Sequence, residues 1–255
     1  MEYEDIIYEK KDHIAKITIN RPKKMNALRQ KSWSELFRAF SDATKDSAIG
    51  VIILTGAGGR AFCAGADQNE EETPEYRVVG GALGRAITNA TKPVIAMVDG
   101  YAIGSGNWLA YLCDFTVASE RSIFGQTGPR VGSPPTGWMV SYLARVIGEK
   151  RAREMWMLCR QYSAQDALEM GLVNKIVPAD KLSEEVDAWC EELLALSPTA
   201  LMAAKASFNS ATQALYSAEP LEEIISRTYI GSEESKEGVN AFLEKRKPDF
   251  GKFRR

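Results

Sequence analysis

Two glycine-containing loops hold the residues best placed to do chemistry. Gly100-Tyr-Ala-Ile-Gly-Ser-Gly106 follows a short apolar run, Val94 to Val98, and leads into an apolar helix start at Asn107 to Leu112. A strand, a glycine loop and a helix in that order direct free backbone N–H groups at one point, with the positive end of the helix dipole behind them. Such a point can hold a phosphate or a developing oxyanion. A plain tight turn would read the same way. An earlier stretch repeats the pattern. Val51-Ile-Ile-Leu-Thr55 is an apolar run broken by Gly56-Ala-Gly-Gly59, and Arg60-Ala-Phe-Cys-Ala-Gly-Ala-Asp67 comes next. Two buried strands, each feeding a small-residue loop and a helix, can bring two backbone donors onto one carbonyl oxygen.

The combination resembles the crotonase (enoyl-CoA hydratase) superfamily, in which A-F-C-A-G-A-D and G-Y-A-I-G-x-G together form the oxyanion hole for a CoA thioester. The resemblance implies that the donors are the backbone N–H groups of Ala66 and Ser105. The family usually has glycine where Ser105 stands; the serine N–H still donates, but its side chain narrows the hole. The segment R-P-K-K-M-N-A-L, Arg21 to Leu28, also fits the family. CoA contacts are implied at Lys24, Ala64, Ala66 and Asp67. In the tail G-V-N-A-F-L-E-K-R-K-P-D-F, Gly238 to Phe250, Phe242 and Lys245 are implied to help hold the CoA of a neighbouring subunit.

Fold does not fix the reaction, so the acid and base groups must decide it. Hydratases of this superfamily carry two glutamates, one just after the G-x-G loop and one after F-G-Q-P; paired carboxylates activate a water and deliver its proton. Trp108 and Gly128 occupy those positions here, which disfavours a conventional hydratase. Instead the segments F-G-Q-T-G-P-R-V-G-S (Phe124 to Ser133) and R-E-M-W-M-L-C-R-Q-Y (Arg153 to Tyr162) resemble 1,4-dihydroxy-2-naphthoyl-CoA synthases and 2-ketocyclohexanecarboxyl-CoA hydrolases. In synthases with glycine at the Gly128 position, Gln126, Thr127 and Trp156 hold a bicarbonate that stands in for the missing base. The resemblance thus implies a small-anion or water site at Gln126, Thr127, Gly128 and Trp156, with Ser133 beside it. Both relatives carry an aspartate two residues after Ser133, where this chain has Pro135. The synthases also use a C-terminal tyrosine, and here Ile230 aligns with it, next to Tyr229. Thr136, Tyr142, Tyr229 or a carboxylate among Glu70, Glu71 and Glu72 are the candidates to replace those groups.

Asn107, the run Lys24 to Ala27, and Ser197 to Asn209 look more like the hydrolase branch. The implied reaction is carbon–carbon bond cleavage at an alicyclic β-oxoacyl-CoA, through a thioester enolate. Synthase-like ring closure, atypical hydration or isomerisation of an enoyl-CoA, and acyl-CoA binding without turnover are the alternatives. No tightly bound cofactor is implied beyond the CoA thioester substrate and a bicarbonate.

The rest of the chain bounds these readings. With 255 residues and 45% hydrophobic content the chain can bury a sizeable core. The net charge of −2, without a basic patch, gives no support to nucleic-acid binding. No apolar run is long enough to span a membrane, and the acidic start M-E-Y-E-D lacks a signal-peptide pattern. Cys63, Cys113, Cys159 and Cys190 lack metal or redox spacing, which fits buried thiols in a reducing cytoplasm and no metal site. The one histidine, His13, lies beside Lys11 and Asp12 in a hairpin-like turn, so histidine chemistry is effectively absent.

The elements that must position these loops follow the same logic. Ala15, Ile17 and Ile19 alternate with polar residues as a half-buried strand. Ser32 and Glu35 have the spacing of a capping box, and Trp33, Leu36, Phe37 and Phe40 mark an amphipathic helix. Asn69 to Tyr76 is an acidic stretch without periodicity, read as a loop that could cover the acyl group, and helices follow over 78–88, 137–147 and 150–161. Ser163 with Asp166 caps another helix, 173–177 is a strand, and from Leu182 the pattern is helical: Ser197-Pro198 opens a helix to about Asn209, followed by 219–230 and 233–245. The expected fold is α/β, a crotonase-like spiral of ββα units (1–196) with the CoA-thioester site, followed by an α-helical C-terminal region (197–255) that builds a homotrimer or a hexamer of paired trimers.

Overall fold

A computed structural model of the chain describes residues 2–70 and 74–254, with the backbone alone for 74–78. The chain opens with β1 (Ile6–Lys11) and β2 (Ile14–Ile19), an antiparallel hairpin whose turn residues, Asp12 and His13, both have positive φ. That backbone suits the right-handed twist of the two strands. Ala15, Ile17 and Ile19 of β2 are fully buried, as the alternation requires.

Helix α1 (Gln30–Lys45) buries Trp33, Leu36 and Phe40, while Phe37 stays at the exposed margin of the stripe. Ser32 and Glu35 do not pair as its capping box. The helix starts earlier, after Arg29; Ser32 Oγ accepts the Arg29 N–H and donates to Asp5, and the Glu35 carboxylate accepts the N–H groups of Glu4 and Asp5. The N-terminal segment takes the Glu35 carboxylate, and it shares Ser32 with the helix N-cap.

Three strand–strand–helix units then follow. They are β3 (Val51–Gly56), β4 (Ala61–Cys63) and α2 (Pro74–Thr88); β5 (Val94–Val98), β6 (Tyr101–Ile103) and α3 (Ser105–Leu112); and β7 (Phe115–Ser119), β8 (Ile123–Gly125) and α4 (Trp138–Ile147). With β9 (Gln161–Ser163) and β10 (Lys175–Val177) from further along the chain, the first strand of each unit joins a six-stranded sheet of order β1-β2-β3-β5-β7-β10, and the second joins a four-stranded sheet of order β4-β6-β8-β9. Strand β3 reads as a continuous apolar run because both its faces are covered. Ile52 and Leu54 enter the main core against the helices, whereas Val51 and Ile53 enter a second cluster with Leu182, Val186 and Cys190.

Helix α2 begins at Pro74, earlier than the periodicity predicts, and so takes in part of the acidic stretch read as a loop; proline at the first helical position is pre-organised for that start. Glu71, Glu72 and Thr73 lie outside the described residues. Helix α5 (Glu149–Leu158) is shorter than expected, because Cys159 adopts a left-handed backbone and Gln161–Ser163 pairs with β8 as strand β9. Ser163 and Asp166 form the expected capping box of α6 (Ala164–Glu169), and β10 (Lys175–Val177) completes the large sheet. Helices α7 (Leu182–Leu194), α8 (Pro198–Ser210), α9 (Glu219–Tyr229) and α10 (Glu233–Leu243) follow. Lys205 pins α8 to the core: its buried ammonium meets Asp114 at 2.6 Å and the carbonyls of Ile87 and Lys92. No helix among the described residues is long and apolar enough to cross a membrane.

Candidate active site

Both glycine loops open onto one cleft of about 560 Å³. They touch at Gly65 and Gly104, which have φ of +103° and +58°, backbone that suits glycine. A Cβ built on Gly65 would stand 3.7 Å from the Ser105 nitrogen, and one on Gly104 would stand 3.7 Å from the Gly65 α-carbon. Leu28 clamps the first loop from behind. Its N–H donates to the Gly65 carbonyl at 2.8 Å and its carbonyl accepts the Asp67 N–H at 2.9 Å, which leaves the Ala66 N–H between them unused. Ser105 is the first residue of α3, where an N–H has no intrahelical acceptor. Among the described residues, neither donor has a protein partner. Two N–H groups on adjoining loops, one at a helix start, can hold the oxygen of a thioester as it gains charge.

One wall beside these donors is aromatic. Trp108 stacks on Trp33 with ring centroids 5.2 Å apart and planes 12° from parallel, and both line the cleft. The indole of Trp108 thus occupies the ground where a carboxylate would project from α3.

Another part of the lining comes from the end of β8. Gln126 is 1% exposed, and both of its amide atoms lack a hydrogen-bond partner among the described residues; the same holds for Trp156 Nε1. A buried amide left unpaired costs on the order of 1–3 kcal/mol or more, so the arrangement suits a small polar guest. Thr127 Oγ1 lies 3.8 Å from where a Gly104 Cβ would stand, which brings this corner against the oxyanion loops. Gly128 leaves no room for a longer side chain: a Cβ there would meet the Ser133 carbonyl oxygen at 2.7 Å and the Trp156 ring at 3.8 Å. The Ser133 N–H donates to the Gly128 carbonyl at 2.9 Å and closes the loop.

The chain matches the enoyl-CoA hydratase/isomerase family over residues 9–253. It belongs to that family. Among solved structures, an enoyl-CoA hydratase from Mycobacterium avium subsp. paratuberculosis K-10 is 31% identical with a TM-score of 0.91, over 98% of this chain and 99% of that one. An enoyl-CoA hydratase/carnithine racemase from Magnetospirillum magneticum is 30% identical with a TM-score of 0.80, over 98% and 96%. A methylmalonyl-CoA decarboxylase is 29% identical with a TM-score of 0.88, over 98% and 99%. The protein is an acyl-CoA-processing enzyme with the crotonase fold.

Ala64, Ala66, Ser105, Gln126, Thr127, Gly128, Ser133, Trp156 and Phe242 all line this enzyme's cleft. Phe242 does so from the same chain's α10 and is 55% exposed. Other expected residues stand elsewhere. Lys24 and Lys245 are exposed and outside the lining, although Met25 is part of it. Asp67 is buried and engaged by Arg21 at 3.0 Å and by Asn69. Burial alone would raise its carboxyl pKa, but these hydrogen bonds outweigh that and hold it below the usual range. Tyr229 is half-buried outside the lining, its phenol pushed up by burial first and then by Glu234. Of the replacement acids and bases, Thr136 lines the cleft. Tyr142 is stacked on Tyr111 instead, and burial pushes its phenol up to about 12. The Glu70 carboxylate accepts the Gln30 N–H at 2.8 Å. The sequence reading missed Glu222, a carboxylate that reaches the cleft from α9. No local motif marks it.

Proposed function

We propose that this enzyme cleaves the bond between the α and β carbons of an alicyclic β-oxoacyl-CoA, opening the ring by hydrolysis as in 2-ketocyclohexanecarboxyl-CoA. The Ala66 and Ser105 N–H groups hold the thioester oxygen. Gln126, Thr127 and Trp156 hold the water that attacks the ring ketone. The electron pair of the broken bond passes into the thioester enolate, which the two N–H groups stabilise, and protonation at the α carbon completes the product. The observation that carries this reading is the buried, unpaired amide of Gln126, in a cleft that Trp156, with its own unpaired Nε1, also lines; a small polar guest fits there, where hydratases would place a carboxylate. The stacked Trp33–Trp108 wall supports a ring as the acyl group, since it offers a flat apolar face. Ala64, Ala66 and Asp67 near the loops, with Lys24, Phe242 and Lys245 at the mouth or on a neighbouring subunit, are the proposed CoA contacts.

A second reading is decarboxylation, with the substrate's own carboxylate in the Gln126 corner. Loss of CO₂ generates the enolate without any base, and the likeness to a methylmalonyl-CoA decarboxylase favours it. Mass spectrometry of products separates the two. The panel is 2-ketocyclohexanecarboxyl-CoA, methylmalonyl-CoA, o-succinylbenzoyl-CoA, cyclohex-1-ene-carboxyl-CoA and crotonyl-CoA, each with and without bicarbonate. Ring opening of the first to a dicarboxylic mono-CoA is the expected result. Propionyl-CoA from the second establishes decarboxylation instead, and bicarbonate-dependent closure of the third establishes the synthase-like reaction. Turnover of crotonyl-CoA alone overturns the assignment, and tight binding without turnover makes the protein an acyl-CoA binder.

A further inference from the structure

The S-P-P-T-G loop, Ser133 to Gly137, lacks the aspartate that its resemblance would place at Pro135. The structure brings a carboxylate to the same loop from the far end of the chain. Glu222, on the first turns of α9, is half-buried and lines the cleft together with Pro134, Pro135 and Thr136. Its carboxylate rests on the α-carbon of Gly137: a Cβ built there would overlap Oε2 and lie 3.4 Å from Oε1. Only a glycine at 137 admits the side chain in this position. Gly137 is also the N-cap of α4, a ten-residue helix, so the carboxylate sits at the helix end that favours its ionised form. Among the described residues that line the cleft, Glu222 is the sole carboxylate.

We propose that Glu222 is the group that moves the proton in this cleft, in place of the aspartate missing at Pro135. The step rests on the ring-opening reading. As the oxygen of water bonds to the ring carbonyl carbon, the Glu222 carboxylate takes one of its protons. The tetrahedral alkoxide then re-forms a C=O bond as a carboxylic acid, while the α–β bond breaks and its electron pair enters the thioester enolate. The protonated Glu222 returns the proton to the α carbon. One water is consumed and the carboxylate is regenerated.

Two readouts test this on the full-length enzyme: ring opening of 2-ketocyclohexanecarboxyl-CoA, and exchange of the α proton of cyclohexanecarboxyl-CoA in D₂O. The second substrate has no ketone, so its exchange needs the oxyanion hole and a base but no bond cleavage. Glu222→Gln is expected to lower kcat and the exchange rate about 10²- to 10⁴-fold, the usual contribution of a positioned acid or base, while KM moves little. Formate is expected to restore part of the activity of Glu222→Ala, a gain that a misfolded variant cannot show. Retention of both rates by Glu222→Gln within about threefold overturns the proposal, as does failure of formate to rescue. If the wild type exchanges the proton but opens no ring, the ring-opening reading falls and Glu222 is judged on exchange alone. A wild type that does neither overturns both.

Discussion

Ser105 offers a clean test of the oxyanion donors because its N–H and its side chain can be separated. It stands at the first position of α3, where proline fits the helical backbone and the N–H is not needed by the helix. The preceding Gly104 has φ +58° and ψ −118°, an extended mirror-image backbone open to glycine. Ser105→Pro therefore removes one donor and leaves the helix intact. Removing one such donor costs about 2.7–4 kcal/mol of transition-state stabilisation, so kcat is expected to fall about 10²- to 10³-fold. The melting temperature should stay close to that of the wild type, and Ser105→Ala, which keeps the N–H, should remain active. Steady-state kinetics with a thermal melt on the same samples decides it: equal activity in the proline and alanine variants would remove Ser105 from the hole.

At the scale of elements, the C-terminal tail is tied down by one carboxylate. Glu237 of α10 accepts from Arg246 at 2.6 and 3.2 Å and from the Asp249 N–H at 2.8 Å, with Lys252 at 3.4 Å. The Arg246 hydrogen bonds first, then the Asp249 N–H, lower its pKa to about 2 against burial. The fold thus binds this proton more weakly than the unfolded chain, whose glutamates titrate near about 4.3. The stabilisation is complete above that value and is lost as pH falls from about 4 towards about 2. Melting temperatures measured across that range should show the wild type losing its advantage over Glu237→Gln, and a constant gap would contradict the linkage. Such a tie is invisible in sequence, because its partners are set by how the tail turns back after Leu243. The same limit explains what was legible elsewhere. The β2 alternation, the doubly buried β3 run, the Ser163–Asp166 cap and the two glycine loops are local patterns, and each appears in the fold. Ser32 and Glu35 share the capping-box spacing of Ser163 and Asp166, yet the helix starts earlier, so Ser32 bonds back to the Arg29 N–H and the N-terminal segment takes Glu35. Glu222 meets Gly137 only because the chain returns α9 to the start of α4, a contact that no local periodicity encodes.

The whole molecule leaves an apolar surface on its C-terminal helices. Phe208 of α8 is 80% exposed, and Leu221 and Ile224 of α9 are 59% and 62% exposed. On α9 the outward pair, three residues apart, shares one face, while Ser226 is buried and Glu222 reaches the cleft from the inner side. Large apolar side chains left exposed along these C-terminal helices suit an interaction surface. We propose that copies of this chain cover it, with 197–255 as the assembly region and a trimer as the unit. Light scattering should then give about three times the 28.2 kDa chain mass, or twice that for paired trimers. Phe208→Glu combined with Ile224→Glu places charge in the interface and should yield a folded species at the mass of one chain. The activity of that species tests the coupling of assembly to catalysis. Helix α9 holds Glu222 on Gly137 with one face and meets the neighbour with the other, so assembly and catalysis share an element. A monomer is therefore expected to lose kcat more than it loses acyl-CoA affinity, since the oxyanion loops lie in the core and α9 does not. A fully active monomer would mean that α9 seats itself unaided, and a double variant that stays trimeric would place the interface on another surface.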